Sequence, residues 1–247
     1  MEDRILQGKF LKYGFVLSIL GTIAIIVFAI KWADSQKIES VSITGNVLLP
    51  GSGIMENLSD TLLHKANNSI KLKNIEKLLG QNPYIQKTYI THKNLNELTV
   101  SVKEYKPIAS LLLENGTLQF IDSDIKFLPY LSNVNTPDVP LISGIFKNGR
   151  IDTVGIVGSL VLLSIINDSN FKYLNPLISE ICYHSDNKNF ELISSDVGTR
   201  IKIGTVENLE YKIKKLDSYW KSNLVSSSQK PKYIDLRWSN HIVSSNS

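Results

Sequence analysis

An uncharged apolar run near the N-terminus constrains this chain more strongly than any other feature. The run extends from Tyr13 to Ile30, and Trp32 follows it. A helix rises about 1.5 Å per residue, so roughly 17 to 25 mainly apolar residues cross a hydrocarbon core of about 30 Å. The run is just long enough, and aromatic rings at its two ends are typical of membrane interfaces. The sequence therefore predicts one transmembrane helix over residues 13–32.

A cleavable signal peptide is the alternative interpretation of the same run. Basic residues precede it, and Val27-Phe28-Ala29 has the small residues of a tolerable cleavage site. Signal peptides usually have an apolar region of about 7 to 15 residues, followed by a polar cleavage region. This run is longer and is followed at once by Lys31 and Trp32, which favours an uncleaved anchor.

Charges on the two sides of the span bear on its orientation. Three basic residues precede it and two follow it closely; these are Arg4, Lys9 and Lys12, then Lys31 and Lys37. Cytoplasmic flanks carry the excess of Lys and Arg, so this small bias favours a cytoplasmic N-terminus. We expect a cytoplasmic tail over residues 1–12 and an extracytoplasmic remainder.

Composition argues against several classes of function. The chain has 27 Lys and Arg against 23 Asp and Glu, and the two signs are interspersed, whereas nucleic-acid-binding surfaces concentrate basic residues. Cys182 is the only cysteine, so an intramolecular disulfide and a paired-cysteine metal site are both excluded. The four histidines have no ligand spacing. The sequence predicts no metal, no cofactor and no nucleic-acid partner.

A second apolar run, from Thr153 to Ile166, tests the prediction of a single span. It contains Gly155 and Gly158 and has only about 14 uncharged positions, fewer than a transmembrane helix needs. We therefore predict a buried core helix here. A second crossing would place everything after it on the other side of the membrane.

The pattern after the span predicts a compact α+β domain. Residues 38–44, 84–91 and 98–103 have the alternating or β-branched composition of strands. Between the first two lie two amphipathic segments with apolar residues at helical spacing. The predicted order is strand, helix, helix, strand, strand, with both helices covering one face of the sheet.

Beyond Pro107 the pattern changes to short strands with flanking helices. Asn115-Gly116 lies between apolar runs and is a hairpin signal. A helix is predicted from Val206, after the core helix described above. Strands are predicted near residues 108–113, 118–121, 177–184, 189–194 and 199–203.

The last predicted strand covers residues 232–238. Ile234, Leu236 and Trp238 share one face of it, and Asp235 and Arg237 share the other. A strand near a chain end can leave one edge unpaired, and such an edge can receive a partner's strand through main-chain hydrogen bonds. The Ser-rich residues 241–247 are predicted to be a disordered tail.

Several segments, taken in order, resemble a known family. They are Val41-Ser-Ile-Thr-Gly45, Asn82-Pro83-Tyr84-Ile85, residues 98–109, Ile121-Asp122, Leu128-Pro129, residues 140–144, residues 200–204 and residues 233–237. With the preceding span, this order resembles the bacterial cell-division family FtsQ, called DivIB in Gram-positive bacteria.

The resemblance covers residues 10–238. It implies an α+β fold with a POTRA-like domain over residues 38–106 and an FtsQ-type, mainly antiparallel β domain with flanking helices over residues 107–240.

The resemblance also implies a function. FtsQ-like proteins are non-enzymatic, single-pass proteins of the cytoplasmic membrane at the division septum, with the C-terminal domains outside the cytoplasm. Their β domain binds the small coiled-coil membrane proteins FtsB and FtsL and helps to regulate septal peptidoglycan synthesis. Arg237 and Trp238 match the positions after Asp-Leu in the family's binding strand, and Tyr233 is a third candidate contact. Trp238 has a second interpretation, as a core residue beside Ile234 and Leu236.

Three other classes of protein remain as alternatives. An enzyme would need catalytic groups, but Asp122-Ser-Asp124 is more typical of a turn, and no nucleophile-elbow, P-loop or zinc-protease motif occurs. A POTRA component of an outer-membrane assembly or secretion system would normally add a β-barrel or tandem POTRA units. A eukaryotic type II membrane protein would explain the glycosylation sequons at Asn57, Asn67 and Asn115, but Asn115 is better explained as a turn residue.

Overall fold

The computed structural model describes residues 2–66, 69–132, 134–147, 149–171, 174–224 and 230–245. The chain divides into two compact units, the first ending at Glu104 and the second beginning at Tyr105. Each unit has a sheet of its own.

The first helix, α1, spans Glu2–Ser35. Within it, Tyr13–Ser35 is long and apolar enough to cross a membrane, and its most apolar stretch is not buried inside the protein. Large side chains such as Leu17 and Phe28 are exposed there, as lipid-facing residues are. The predicted span therefore lies within one continuous helix.

The rest of the first unit is a three-stranded sheet with two helices. Its central strand β3 lies parallel to β1 and antiparallel to β2. Alternation in β3 buries Leu98, Val100 and Val102 on one face, and the sequence pattern predicts this face. The predicted β-α-α-β-β order is confirmed. The elements are β1 (Ser40–Thr44), α2 (Gly51–Leu62), α3 (Leu72–Leu79), β2 (Ile85–His92) and β3 (Glu97–Glu104).

Glu104, the last residue of β3, anchors the loop that follows β1. Its carboxylate accepts hydrogen bonds from the main-chain N–H groups of Val47, Leu48 and Leu49, at 3.1, 2.7 and 3.0 Å. Three main-chain donors of this loop are thereby paired with one negative charge. This loop leads into α2, which begins at Gly51, so the contact orders the chain just before that helix.

The second unit contains eleven strands and two α-helices among its described residues. They are β4 (Pro107–Leu112), β5 (Leu118–Asp122), β6 (Phe127–Pro129), β7 (Leu141–Ser143), β8 (Phe146–Lys147), β9 (Arg150–Ile151), α4 (Thr153–Ile166), β10 (Ile178–His184), β11 (Asn189–Ser194), β12 (Arg200–Gly204), α5 (Leu209–Tyr219), β13 (Tyr233–Asp235) and β14 (Val243–Ser245).

Nine of these strands form one sheet in the order β14-β13-β12-β11-β10-β7-β4-β5-β6, and β8 and β9 form a separate hairpin. Most neighbours are antiparallel, but β13–β12, β10–β7 and β7–β4 are parallel. The sheet is therefore mixed, but most of its strand pairs are antiparallel, as the sequence predicts. Its core joins inward residues of the central strands to α4 and α5, such as Ile181, Leu192, Leu162 and Ile213.

Two glycines let α4 lie close to the sheet. A Cβ atom at Gly155 would lie 2.5 Å from the ring of Tyr183, and one at Gly158 would lie 2.3 Å from the ring of Phe190. The Asp152 carboxylate caps the helix by accepting from the N–H groups of Val154 and Gly155. The apolar run after Asp152 is thus the predicted helix of a domain core.

The C-terminal segment differs from its prediction. Residues 241–247 are predicted to be disordered, but Val243–Ser245 forms β14, and residues 246 and 247 lie outside the described residues. Ile242 is partly buried against the core, and the Tyr219 hydroxyl bonds to Ser244 at 3.0 Å. Composition alone misses this strand because its formation depends on pairing with β13, and strand propensity depends strongly on such context.

Candidate partner-binding surface

The candidate binding residues lie on and just after β13. This strand runs parallel to β12, with Tyr233 opposite Arg200 and Asp235 opposite Lys202. The pairing continues one residue further, since the Leu236 N–H donates to the Lys202 carbonyl at 2.9 Å. Ile234 is buried in the core, so alternation places its neighbours Tyr233 and Asp235 on the opposite face.

The other edge of β13 is paired as well. β14 runs antiparallel to it, with Tyr233 opposite Ser245 and Asp235 opposite Val243. The expectation of an unpaired edge on the last predicted strand is therefore wrong for the described structure. The edge is paired because β14 forms there, and the Ser-rich composition of residues 241–247 does not predict a strand.

Arg237 and Asp235 form a tight ion pair at the end of β13. The Arg237 Nε donates to Oδ1 and Oδ2 of Asp235 at 3.0 and 3.1 Å, and Nη2 donates to Oδ2 at 2.6 Å. The main-chain N–H of Arg237 adds a bond to Oδ1 at 3.0 Å. The carboxylate is buried, with 8% of the Asp235 side chain exposed, whereas 49% of the Arg237 side chain is exposed.

This pair shifts the pKa values of both residues. The side-chain hydrogen bonds from Arg237 lower the pKa of Asp235 below its ordinary value, against the opposing effect of burial. The same bonds raise the pKa of Arg237. The guanidinium is consequently a fixed, oriented cation whose exposed part faces solvent.

Trp238 lies at the surface rather than in the core. The strand ends at Asp235, the chain bends after Arg237, and 54% of Trp238 is exposed. Its ring stacks on that of His241, with centroids 5.5 Å apart and an interplanar angle of 16°. The core interpretation of Trp238 therefore fails, because the strand is too short to carry the alternation of Ile234 and Leu236 to this residue.

Lys215 of α5 holds the segment after β13 in place. Its Nζ donates to the main-chain carbonyls of Leu236, Trp238 and His241. Burial lowers the pKa of this ammonium, and the nearby Asp235 carboxylate opposes that shift. Lys215 thus links α5 to the bend that carries Trp238 and to the segment that enters β14.

Arg237 and Trp238 line one depression of about 300 Å³, together with Tyr211, Lys212 and Lys215 from α5. The Tyr211 hydroxyl donates to the carbonyl of Ser239 at 2.9 Å. Burial lowers the pKa of Lys212, Glu207 opposes that shift, and Lys215 adds to it. The depression therefore presents several cations and two aromatic rings at the end of the sheet.

Tyr233 is separate from this depression. It is half-buried, does not line the depression, and has the Lys202 Nζ 5.2 Å from its ring centroid. The structure thus brings two of the three predicted contact residues together. Sequence reasoning missed Lys215 and Tyr211, because only the inward positions of α5 follow from helical periodicity.

Asp122 and Cys182, which could suggest catalysis or metal binding, lie in environments that do not favour either. Asp122 is buried and its Oδ1 accepts from the N–H groups of Asp124 and Lys126, at 2.9 and 2.8 Å, which is the geometry of a turn. Burial raises the pKa of the Cys182 thiol to about 12, so this thiol is not an activated nucleophile. Among the residues that the structure describes, no group of three or more His, Cys, Asp or Glu can hold a metal.

Comparison with known families supports the same architecture. Residues 106–245 match the family model described as FtsQ/DivIB, C-terminal related, and residues 36–105 match the model described as POTRA domain, FtsQ-type. A search of curated proteins found no match. The predicted α+β fold and the predicted family are confirmed, and with the apolar helix α1 they indicate a membrane-anchored protein of the divisome. The chain belongs to the FtsQ/DivIB family of cell-division proteins.

Proposed function

We propose that this protein binds small coiled-coil membrane partners of the FtsB and FtsL kind through its β domain, and thereby helps to regulate septal peptidoglycan synthesis. In this proposal it is a non-enzymatic, single-pass protein. Residues 1–12 are cytoplasmic, and the POTRA and β domains lie outside the cytoplasmic membrane at the division septum.

The observation that carries the proposal is the exposure of Trp238 beside Arg237. Large aromatic side chains and arginines are enriched among residues that dominate binding energy, and here they line one depression. The Asp235 carboxylate pre-orders the guanidinium, so little side-chain entropy is lost when a partner binds. Tyr233 is the weaker third contact, since it lies outside that depression.

Charge supports a partner with acidic groups at this position. Lys212, Lys215 and Arg237 surround the depression, and Glu207 is the acidic residue in its lining. A cationic rim of this kind speeds association with an acidic partner and weakens that association at high salt. Salt dependence is therefore part of the expected behaviour.

The test is co-purification of the full chain with the FtsB-like and FtsL-like proteins of its host, in a mild detergent. The combined substitution Arg237→Ala and Trp238→Ala should weaken capture by at least about tenfold, because loss of one residue that dominates binding costs about 2 kcal/mol or more and each ~1.4 kcal/mol changes the affinity tenfold. A matched control is Tyr130→Ala with Arg150→Ala, two exposed residues of the same unit. Equal capture by both variants would remove the site assignment.

Loss of binding through misfolding must be separated from loss of a contact. Arg237→Ala alone leaves the buried Asp235 carboxylate without its side-chain partner, so Arg237→Ala combined with Asp235→Asn is a second variant. Thermal unfolding followed by Trp fluorescence reports whether each variant is folded. Capture restored in a folded Arg237→Ala, Asp235→Asn variant would assign Arg237 to stability rather than to binding.

A further inference from the structure

The C-terminal strand β14 occupies the edge of the sheet beside the proposed binding residues. Its register against β13 places Ser244 opposite Ile234, and the Lys232 N–H donates to the Ser245 carbonyl at 2.8 Å. β14 is one of the two edge strands of the nine-stranded sheet, and β6 is the other. The main-chain groups along this side of β13 are therefore used by the protein's own C-terminal segment.

The same segment also covers part of the proposed contact surface. His241 stacks on the Trp238 ring, and its carbonyl accepts from Lys215 Nζ at 3.3 Å. A partner side chain that packed on the same face of Trp238 would have to replace His241. One segment thus hides a strand edge and an aromatic contact together.

Few contacts hold this segment in place. β14 is three residues long, Val243 and Ser244 are exposed, and Ile242 is only partly buried. The Tyr219–Ser244 hydroxyl bond lies at the surface. Short segments with little buried apolar area open at the low end of the range of local stabilities, so β14 can leave while the rest of the sheet stays folded.

We propose that residues 240–245 are a built-in competitor for a partner strand, and that β14 leaves β13 before the partner's strand adds at that edge. This inference rests on the proposed function. Main-chain pairing is nearly independent of sequence, so an external strand and β14 compete for the same donors and acceptors. The partner binds only those molecules in which β14 has left the edge. The apparent dissociation constant is therefore the intrinsic one divided by the fraction of molecules with an open edge.

The first test compares the full chain with a chain that ends at Ser239, both in the same detergent. The probe is the extracytoplasmic segment of the host's FtsB-like protein. If β14 is docked in about nine molecules of ten, its removal tightens binding about tenfold. Unchanged or weaker binding by the shortened chain overturns the inference.

A second variant keeps the chain length and removes only the pairing. Successive residues of an antiparallel strand direct their N–H groups to opposite sides, so Val243→Pro with Ser244→Pro removes at least one donor that faces β13. The matched control is Val243→Thr with Ser244→Thr, which retains both donors and suits a strand. The proline variant should bind as tightly as the shortened chain, and the threonine variant should bind like the unchanged chain.

Hydrogen exchange on the unchanged chain tests displacement directly. Addition of the probe should speed amide exchange at residues 243–245 while residues 233–235 remain protected. Slower exchange at residues 243–245 would show that the partner adds outside β14 and would overturn the inference. If neither the full nor the shortened chain binds, the proposed function fails and this inference fails with it; equal binding by both overturns the inference alone.

Discussion

Arg237 binds the carboxylate of Asp235, two residues earlier in the chain, through Nε, Nη2 and its own main-chain N–H at 2.6 to 3.1 Å. The arginine that we propose as a partner contact is therefore also the residue that satisfies a buried carboxylate at the end of β13. Stability and binding are coupled at this point, and variants of either residue must be tested for both.

Asp235→Asn should destabilise the protein near neutral pH by about 1 kcal/mol, a typical contribution for a hydrogen bond whose partner is half-exposed. The pKa of Asp235 is lowered in the folded state, chiefly by the Arg237 hydrogen bonds. Its stabilising contribution is thus complete above the ordinary value of about 3.9 and is lost as the pH falls through the lower folded-state value. Thermal unfolding of the full chain in detergent, at a series of pH values, measures this difference.

The matched control for that series is Asp124→Asn, a change at an exposed carboxylate of the same unit. Its effect on stability should stay within about 0.5 kcal/mol at every pH, as is usual for surface substitutions. A destabilisation by Asp235→Asn that is as large at the acid end as at neutral pH would contradict the role assigned to the ion pair.

Glu104→Gln should loosen the loop after β1 in the first unit. The carboxylate accepts from three main-chain N–H groups, and an amide cannot replace it without losing charge and at least one acceptor position. We expect a cost of about 1–3 kcal/mol and faster hydrogen exchange at Val47, Leu48 and Leu49. Glu97 lies in the same strand as Glu104 and forms an ion pair with the exposed Lys93, and Glu97→Gln should cost less than about 1 kcal/mol. Equal exchange rates in the two variants would contradict the anchoring role of Glu104.

Local patterns predicted the elements with strong periodicity and missed those that depend on distant partners. Leu98, Val100 and Val102 alternate with polar residues, so the sequence alone predicts the buried face of β3. β14 cannot be predicted in this way, because its Ser-rich sequence has no apolar pattern. It pairs with β13, where Tyr233 lies opposite Ser245 and a dozen residues before it.

In the candidate site, too, some features follow from the local sequence and others depend on residues far away in the chain. Asp235 and Arg237 could be placed on one face from their spacing, but the bend that exposes Trp238 depends on the length of β13 and on Lys215 from α5. The parallel contacts of β7 with β4 and β10 also have no local signal, because the paired residues lie about 30 to 40 positions apart. The sequence therefore predicts Arg237 and Trp238 as candidate contacts and predicts the helix from Val206, but it does not indicate that Lys215 of this helix holds the bend.

Gly158→Ala should destabilise the β domain, although alanine is the better helix former by about 1 kcal/mol. The new Cβ atom would lie 2.3 Å from the Phe190 ring and 3.0 Å from Val206, and the buried ring has little room to move. Overpacking of this kind typically costs about 1–3 kcal/mol. Thermal unfolding measures the change.

A second substitution identifies the cause of that loss. Phe190→Leu removes the atoms nearest the new methyl group, so Gly158→Ala combined with Phe190→Leu should be destabilised by less than the sum of the two single changes. Strict additivity would show that the loss does not come from contact between α4 and β11.

The orientation of α1 gives a prediction that labelling can test. Cysteine is introduced singly by Gln7→Cys, before the span, or by Val47→Cys, after it, in a chain that also carries Cys182→Ser. Val47 is 74% exposed, so a thiol there is accessible to reagent. If the N-terminus is cytoplasmic, a membrane-impermeant maleimide should label only the Val47→Cys chain in spheroplasts and should label both chains after permeabilisation.

The reverse labelling pattern would contradict the proposed topology, because one crossing places the two positions on opposite sides of the membrane. The same chains also distinguish an anchor from a cleaved signal peptide. A cleaved Gln7→Cys chain would lose its only thiol together with the first turns of α1, and its mass would fall accordingly. An uncleaved chain keeps both its full mass and a thiol that reacts after permeabilisation, which is the result that the length of the Tyr13–Ser35 segment leads us to expect.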